Sequence, residues 1–179
     1  MEKRIKQEIK RIVLIGAEST GKTELTEYLS EKFGTVWVPE YAREYIEKLN
    51  RPYTYDDVEH IAKRQVVLEE EFVRRANKIL FYDTYLIITK VWFKLVYNKV
   101  PDWLHQKIVD SKIDLFILCD NEIPWISDPV RENGGEMRDK LFKIYKEELK
   151  YYGFNYKIIK GSGSDRRNNA LKIVNDFLD

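Results

Sequence analysis

A chain of 179 residues has the length of one compact domain with a single sizeable hydrophobic core. Its 44% hydrophobic and 34% charged residues are typical of globular proteins and exclude the collagen-like, disordered and membrane-spanning classes. With 31 Lys and Arg against 30 Asp and Glu, the net charge of +1 provides no overall field that would attract nucleic acid or an anionic membrane. No apolar run approaches the roughly 20 residues that a membrane-spanning helix needs. We therefore expect one domain over residues 1–179, with no nucleic-acid or membrane partner.

The N-terminal segment and the cysteine count bear on the cellular compartment. Residues Met1–Arg11 alternate Lys, Arg and Glu and contain no apolar signal core, which predicts a cytoplasmic protein. The single cysteine, Cys119, permits no internal disulfide and, with only His60 and His105 beside it, disfavours a zinc site.

Short blocks of β-favouring residues alternate along the chain with longer segments of helical periodicity. Several blocks are apolar at nearly every position, which is typical of strands buried on both faces, and the connections are long enough for parallel pairing. We therefore predict an α/β three-layer sandwich around a five-stranded parallel sheet. The predicted strands are Arg11–Ile15, Thr35–Val38, Lys78–Tyr82, Ile113–Cys119 and Asn155–Ile159.

Helical periodicity is clearest in four segments, Lys22–Lys32, Asp56–Ala76, Arg138–Tyr152 and Arg166–Leu178. For the second, we predict Asp56 as the N-cap, with Glu59 completing a capping box. Gly34 and Gly153 follow two of the helices, where a left-handed residue commonly ends the helix. The segment Thr84–Tyr97 fits a strand or a helix. We predict a helix, because a strand there would directly continue the preceding strand.

One motif carries most of the chemical information. The first strand is followed at once by eight residues that fit the phosphate-binding pattern G-x-x-x-x-G-K-[ST] in its strand, loop, helix setting: Gly16, Ala17, Glu18, Ser19, Thr20, Gly21, Lys22 and Thr23. Glycines permit a tight loop whose backbone N–H groups converge on phosphate, and the following helix N-terminus adds positive potential. We expect Lys22 on the β and γ phosphates of ATP and Thr23 on Mg²⁺. The alternative, a fortuitous glycine turn, is disfavoured by this setting.

The third predicted strand ends in a carboxylate, in the run Ile79-Leu80-Phe81-Tyr82-Asp83. A phosphate loop needs a second acid to order the metal and its water, normally at the end of an adjacent buried strand. Asp83 also precedes a predicted helix, where it could act as an N-cap. Beside a phosphate loop the metal-binding role is favoured, with Thr23 and Asp83 as the metal ligands.

The second predicted strand ends at Val38 and leads into Pro39-Glu40-Tyr41-Ala42-Arg43. The carboxyl ends of parallel strands share one edge of the sheet, so Glu40 is expected beside the phosphate loop and Asp83. Glu40 or Asp83 could hold and deprotonate a substrate hydroxyl, and the sequence does not decide between the two carboxylates. Arg43 can orient substrate or phosphate. We therefore predict a substrate-binding segment containing Glu40, Tyr41 and Arg43, against the alternative of a helix start with an ordinary surface arginine.

A polar stretch, Ser127–Gly135, ends in two glycines and is predicted to form a small lid. In a small-molecule kinase, a closing lid brings arginines to the transferring phosphate and excludes water, which suits Arg131 and Arg138. Trp125 lies beside the lid and is the preferred aromatic for stacking on a substrate base, although tryptophan is more often a core residue. The loop Gly161–Ser164 follows the last strand and either approaches the adenine or only connects two elements.

Four segments together resemble the ribosylnicotinamide kinase domain of the NadR family, over about Arg11 to Leu178. They are the phosphate loop, Trp37-Val-Pro-Glu-Tyr-Ala-Arg43, Phe81-Tyr-Asp-Thr84 with Lys90-Val-Trp92 behind it, and Pro124-Trp-Ile-Ser-Asp-Pro-Val-Arg131. Many families share the phosphate loop, whereas the other segments are more particular. The resemblance implies a P-loop NTPase fold and transfer of the ATP γ-phosphoryl to the 5′-hydroxyl of nicotinamide riboside. The product would be nicotinamide mononucleotide, as in NAD salvage.

The chain departs from members of the NadR family in two respects. Bifunctional members carry a nucleotidyltransferase domain before the kinase, and the ten residues before the first strand leave no room for one, so a stand-alone kinase is expected. Some members have Trp at the position of Pro39. Two alternatives to the implied activity stay open, a kinase of another nucleoside or nucleotide and a nucleotide-dependent switch. Against a GTP switch, Asn98-Lys99-Val100-Pro101 lacks the aspartate of the guanine-reading Asn-Lys-x-Asp motif.

Overall fold

The computed structural model describes residues 8–179 and contains one five-stranded sheet. All neighbouring strands pair in parallel, in the order β2-β3-β1-β4-β5. The strands are β1 (Lys10–Ile15), β2 (Trp37–Val38), β3 (Ile79–Asp83), β4 (Leu115–Cys119) and β5 (Tyr156–Ile159). The predicted parallel sheet is confirmed, because these apolar blocks are covered on both faces.

Helices connect the strands and cover both faces of the sheet. They are α1 (Lys22–Phe33), α2 (Tyr41–Lys48), α3 (Tyr55–Val73), α4 (Leu86–Tyr97), α5 (Asp102–Val109), α6 (Glu136–Tyr151) and α7 (Gly163–Leu178). None of the helices in the described part of the chain is long and apolar enough to cross a membrane. The interpretation of the charged N-terminal segment rests mainly on residues 1–7, which lie outside the described residues.

Successive residues of the central strands face opposite layers. On β1, Val13 and Ile15 belong to the larger core, which α3, α4, α5 and α6 complete. Ile12 and Leu14 belong to a second core, which α1 and α7 complete through residues such as Leu29. This alternation gives the predicted three-layer arrangement, because each face of a buried parallel sheet must be covered by helices.

The segment Thr84–Tyr97, whose sequence fits a strand or a helix, forms a helix as predicted, and this helix begins at Leu86. Helix α5 was not predicted, because it has only eight residues and buries only Leu104 and Ile108. The predicted C-terminal glycines are confirmed, since Gly34 and Gly153 have φ values of 60° and 68°.

The predicted cap of α3 was wrong by two residues. Thr54 is the N-cap, and its hydroxyl accepts a hydrogen bond from the backbone N–H of Asp57, while the Asp57 carboxylate accepts one from the N–H of Thr54 at 2.7 Å. Arg51 also donates to Asp57, which holds this box in place. Glu59 instead accepts a hydrogen bond from the Trp103 indole.

Candidate active site

The phosphate loop connects β1 to α1 at the carboxyl edge of the sheet. A Cβ atom at Gly16 would lie 2.9 Å from the carbonyl oxygen of Cys119, so only glycine allows the loop to pass this close to β4. Gly21 has a φ of 75° and directly precedes the first residue of α1. The loop therefore turns sharply enough for the backbone N–H groups at the start of α1 to face a phosphate.

Side chains of the loop bind its own carbonyl groups. The hydroxyl of Thr20 and the ammonium of Lys22 both donate to the carbonyl oxygen of Ala17, at 2.8 Å and 2.7 Å. The Lys22 ammonium thus lies over the loop, where it would meet the phosphates of a nucleotide.

Thr23 and Asp83 lie side by side, as predicted for a metal pair. The Thr23 hydroxyl donates to Asp83 Oδ2 at 2.5 Å, and Asp83 is 2% exposed. The N-cap of α4 is Tyr85, so Asp83 does not cap the following helix. Its carboxylate is available to a ligand.

The residues fit Mg²⁺. This ion prefers hard oxygen ligands and is commonly held by one or two carboxylates together with substrate phosphates and water. The hydroxyl of Thr23 and the carboxylate of Asp83 supply such oxygens beside the phosphate loop.

Glu40 is brought to the same edge of the sheet as Asp83. It is half-buried and precedes α2, but its side chain makes no capping hydrogen bond. Burial and the negative charge of Asp83 raise the pKa of Glu40 to about 7, although Lys22 and Arg43 act in the opposite direction. Burial likewise raises the pKa of Asp83. Two carboxylates with raised pKa values beside a phosphate loop are typical of a catalytic site.

The turn that carries Glu40 is fixed from α3 by Gln65. The Gln65 side chain accepts a hydrogen bond from the N–H of Tyr41 at 3.0 Å and donates to the carbonyl oxygen of Pro39 at 3.0 Å. The Tyr41 ring packs against Tyr45 of its own helix and against His60 of α3. In this structure the Tyr41 side chain therefore supports the contact between α2 and α3.

The predicted lid lies across the site without helix or strand, between β4 and α6. Its carboxylate Asp128 binds both predicted arginines, Arg43 through Nη2 at 2.9 Å and Arg131 through Nε at 3.1 Å. From the phosphate loop, Glu18 accepts hydrogen bonds from the backbone N–H groups of Glu132 and Asn133. The lid is therefore held by α2 and by the phosphate loop, and its Glu132 carboxylate also accepts a hydrogen bond from the Tyr53 hydroxyl at 3.2 Å.

Arg138 and Trp125 lie under the lid rather than on its surface. Arg138 is 6% exposed and donates to the carbonyl oxygens of Ser19 at 3.2 Å and Ile123 at 2.7 Å, so its guanidinium joins the phosphate loop to the segment before the lid. Trp125 is half-buried, and a Cβ atom at Gly134 would lie 3.0 Å from its ring. One face of the indole is thus covered by the lid backbone.

The fold brings Lys22, Thr23, Glu40 and Asp83 to one edge of the sheet. The Tyr41 ring instead packs against α3, and the Arg138 guanidinium binds two backbone carbonyl oxygens, where it was predicted to bind phosphate. The prediction omitted Gln65, Asp128 and Arg166. Arg166 binds the inner side of the phosphate loop from α7. One sequence signal pointed to it, because Arg166 is four and eight residues from the buried Ala170 and Val174 and so shares their helical face. A charged residue on a buried face requires specific partners.

A family model described as an AAA domain matches residues 11–166 of the chain. The "Trifunctional NAD biosynthesis/regulator protein NadR" of Salmonella typhimurium is 27% identical over 164 residues, which are 89% of this chain and 40% of that protein. The chain therefore spans less than half the length of this curated relative.

Two solved structures of NadR match nearly the whole chain. The complex with NR has a TM-score of 0.81 and 26% identity, and the match covers 94% of this chain and 51% of that one. The complex with NAD and AMP-PNP has a TM-score of 0.78 and 26% identity, covering 94% and 49%. Together with the phosphate loop and the five-stranded parallel sheet, these matches place the chain in the AAA-domain family of P-loop proteins, as a homologue of NadR.

Proposed function

We propose that the protein is an ATP-dependent, Mg²⁺-dependent kinase that phosphorylates the 5′-hydroxyl of nicotinamide riboside. The observation that carries the proposal is the juxtaposition of Glu40 and Asp83 beside a complete phosphate loop, under an arginine-bearing lid. Homology supports a phosphotransferase, and the NadR complexes with NR and with AMP-PNP support this acceptor and this donor.

The phosphate loop and its neighbours would hold the donor. Backbone N–H groups at the start of α1 bind the phosphates, and Lys22 offsets their charge. Thr23 and Asp83 would hold the metal, which would offset negative charge that develops on the phosphates during transfer. No covalent intermediate with the protein is required, because positioning and charge compensation account for phosphoryl transfer in such sites.

Glu40 is the proposed general base. A base works best when its pKa is near the working pH, and the pKa of Glu40 is raised to about 7. Its carboxylate would accept the proton of the 5′-hydroxyl while that oxygen attacks the γ-phosphorus and the bond to the β-phosphate oxygen breaks. Asp83 already binds Thr23 and would stay with the metal.

The lid would exclude water and supply positive charge. Arg43 and Arg131 now share Asp128, and on lid closure they would exchange this carboxylate for phosphate oxygens. Trp125 would stay under the lid and stack on the acceptor ring.

The test is a mass-resolved assay with ATP, Mg²⁺ and nicotinamide riboside, which we expect to yield nicotinamide mononucleotide and an equal amount of ADP. The Lys22→Ala variant should lose this activity while its thermal unfolding stays close to wild type, because Lys22 is the first residue of α1 and lies outside both cores. Wild-type turnover in this variant would show that the site is wrongly assigned. Slow ATP hydrolysis with no phosphorylated acceptor would instead indicate a nucleotide-dependent switch.

A further inference from the structure

The guanidinium of Arg166 joins three loops behind the phosphate site. Arg166 lies in the first turn of α7 and is 3% exposed. Its Nη1 donates to Asp120 Oδ1 and to the carbonyl oxygen of Gly161, both at 2.9 Å, and its Nη2 donates to the carbonyl oxygen of Thr20 at 3.0 Å. Asp120 follows β4, Gly161 follows β5 and Thr20 lies in the phosphate loop.

The bond to Thr20 fixes the direction of a phosphate-binding group. The carbonyl of Thr20 and the N–H of Gly21 belong to one trans peptide, in which they point in opposite directions. Because Arg166 binds the carbonyl oxygen from the inner side of the loop, the N–H of Gly21 is directed away from the arginine. It therefore faces the side on which the helix N-terminus would receive phosphate.

We propose that Arg166 is a positioning residue for the nucleotide phosphates, acting through the Thr20–Gly21 peptide. This inference rests on the nucleotide site of the proposed function. Residues 16–21 belong to no helix or strand, Ser19 and Gly21 have left-handed φ values, and among the described residues no backbone N–H donates to the carbonyl oxygen of Thr20. Arg166 supplies the missing partner. It also links the phosphate loop to the loop after β5 through the carbonyl oxygen of Gly161.

The forked shape of the guanidinium is essential to this role. Arginine presents several N–H donors in a rigid plane and can serve Asp120, Gly161 and Thr20 at once. A lysine keeps the charge beside Asp120 but has a single nitrogen, which cannot reach all three acceptors with good geometry. The Arg166→Lys variant therefore separates orientation of the loop from neutralisation of Asp120.

The experiment compares Arg166→Lys with wild type and with Arg167→Gln. Arg167 is the matched control, because it is the next residue of α7 but lies on the surface, against Glu24 and the Tyr28 ring. Calorimetry gives the Kd for ADP with Mg²⁺, and steady-state assays give kcat and KM for ATP and for nicotinamide riboside. We expect Arg166→Lys to raise the Kd for ADP and the KM for ATP about tenfold or more, which is the loss of about one charge-assisted hydrogen bond. The KM for the acceptor should stay within about twofold, and Arg167→Gln should match wild type.

A folded Arg166→Lys protein that binds ADP as tightly as wild type would overturn the proposal. A rise in the KM for the acceptor as large as the rise in the Kd for ADP would also overturn it. If this variant does not fold, Asp120→Asn takes its place, because it loosens Arg166 while leaving the arginine present. We then expect a several-fold rise in the Kd for ADP, and an unchanged Kd would overturn the proposal. ADP binding does not depend on the acceptor, so failure of wild type to phosphorylate nicotinamide riboside would refute the proposed function without deciding the role of Arg166.

Discussion

Glu40 shows how the surroundings of one side chain change its pKa. An exposed glutamate is ionised well below neutral pH, whereas burial and the adjacent Asp83 raise the pKa of Glu40 to about 7. The identity of Glu40 and its place after a strand could be predicted from the sequence. The pKa could not, because it depends on how closely β2 and β3 bring two carboxylates together.

Replacement of Glu40 by Gln should lower kcat about 10²- to 10⁴-fold, because the amide cannot accept the proton of the hydroxyl. Only the ionised carboxylate is a base, so wild-type kcat/KM should rise with pH up to about 7 and then level off. Initial rates between pH 5 and 9 measure both effects. Glu44→Gln is the control, since Glu44 is exposed on the same helix. Wild-type turnover in the Glu40 variant would exclude Glu40 as the base.

The same substitution should stabilise the fold above neutral pH. The pKa of Glu40 is near 7 in the folded chain and near 4.5 when unfolded, so the folded state binds more protons between these values. This contribution to stability therefore falls as the pH rises from about 4.5 to 7. Tm should be higher for Glu40→Gln than for wild type at pH 8, and the two should converge near pH 4. A lower Tm for the variant at pH 8 would contradict the raised pKa.

Among the elements, the sequence patterns did not predict the N-cap of α3 or the contacts that hold the lid. Two overlapping patterns fit a capping box, one starting at Thr54 and one at Asp56. Tertiary contacts decide between them, because Arg51 and Tyr45 both donate to the Asp57 carboxylate of the first box.

The lid could be located by its glycines and polar residues. Its attachment to Glu18, and to Arg43 through Asp128, depends on the folded arrangement of distant segments.

Thr54→Ala should lower the free energy of unfolding by about 1 kcal/mol, the usual cost of losing an N-cap side chain. Denaturant titration measures this change. Asp56→Ala is the comparison, because Asp56 lies in the first turn without capping the helix, and its removal should cost less. A larger loss for Asp56→Ala would restore the cap predicted from the sequence.

Asp128→Asn should loosen the lid by weakening its hold on Arg43 and Arg131. Water then enters the site more easily, so ATP hydrolysis without acceptor should rise relative to phosphoryl transfer. Stability should change little, because partly exposed ion pairs contribute little to folding. Assays of ADP release with and without acceptor measure this ratio. Lys48→Gln, which removes an exposed pair with Glu44, should leave it unchanged, and an unchanged ratio in Asp128→Asn would mean that the lid does not depend on this carboxylate.

At the scale of the whole molecule, the parallel sheet brings separate segments to one edge. The phosphate loop follows β1, Glu40 follows β2 and Asp83 ends β3, and all three strands end on the same side. This convergence could be predicted, since the connections are long enough for parallel pairing. The inward contacts of Arg138 and Arg166 could not, because sequence periodicity shows that a residue is buried without showing which carbonyl groups it meets.

The proposed kinase should transfer phosphoryl selectively to nicotinamide riboside, and a competition assay between acceptors measures this selectivity. Wild-type protein receives ATP, Mg²⁺ and an equimolar mixture of nicotinamide riboside, deoxyadenosine, thymidine and thymidine monophosphate, with Lys22→Ala in parallel. Mass spectrometry of the products gives the ratios of kcat/KM. We predict that nicotinamide mononucleotide forms at least about tenfold faster than any other product, and only with Lys22 present. Preferential phosphorylation of another acceptor would contradict the proposed function.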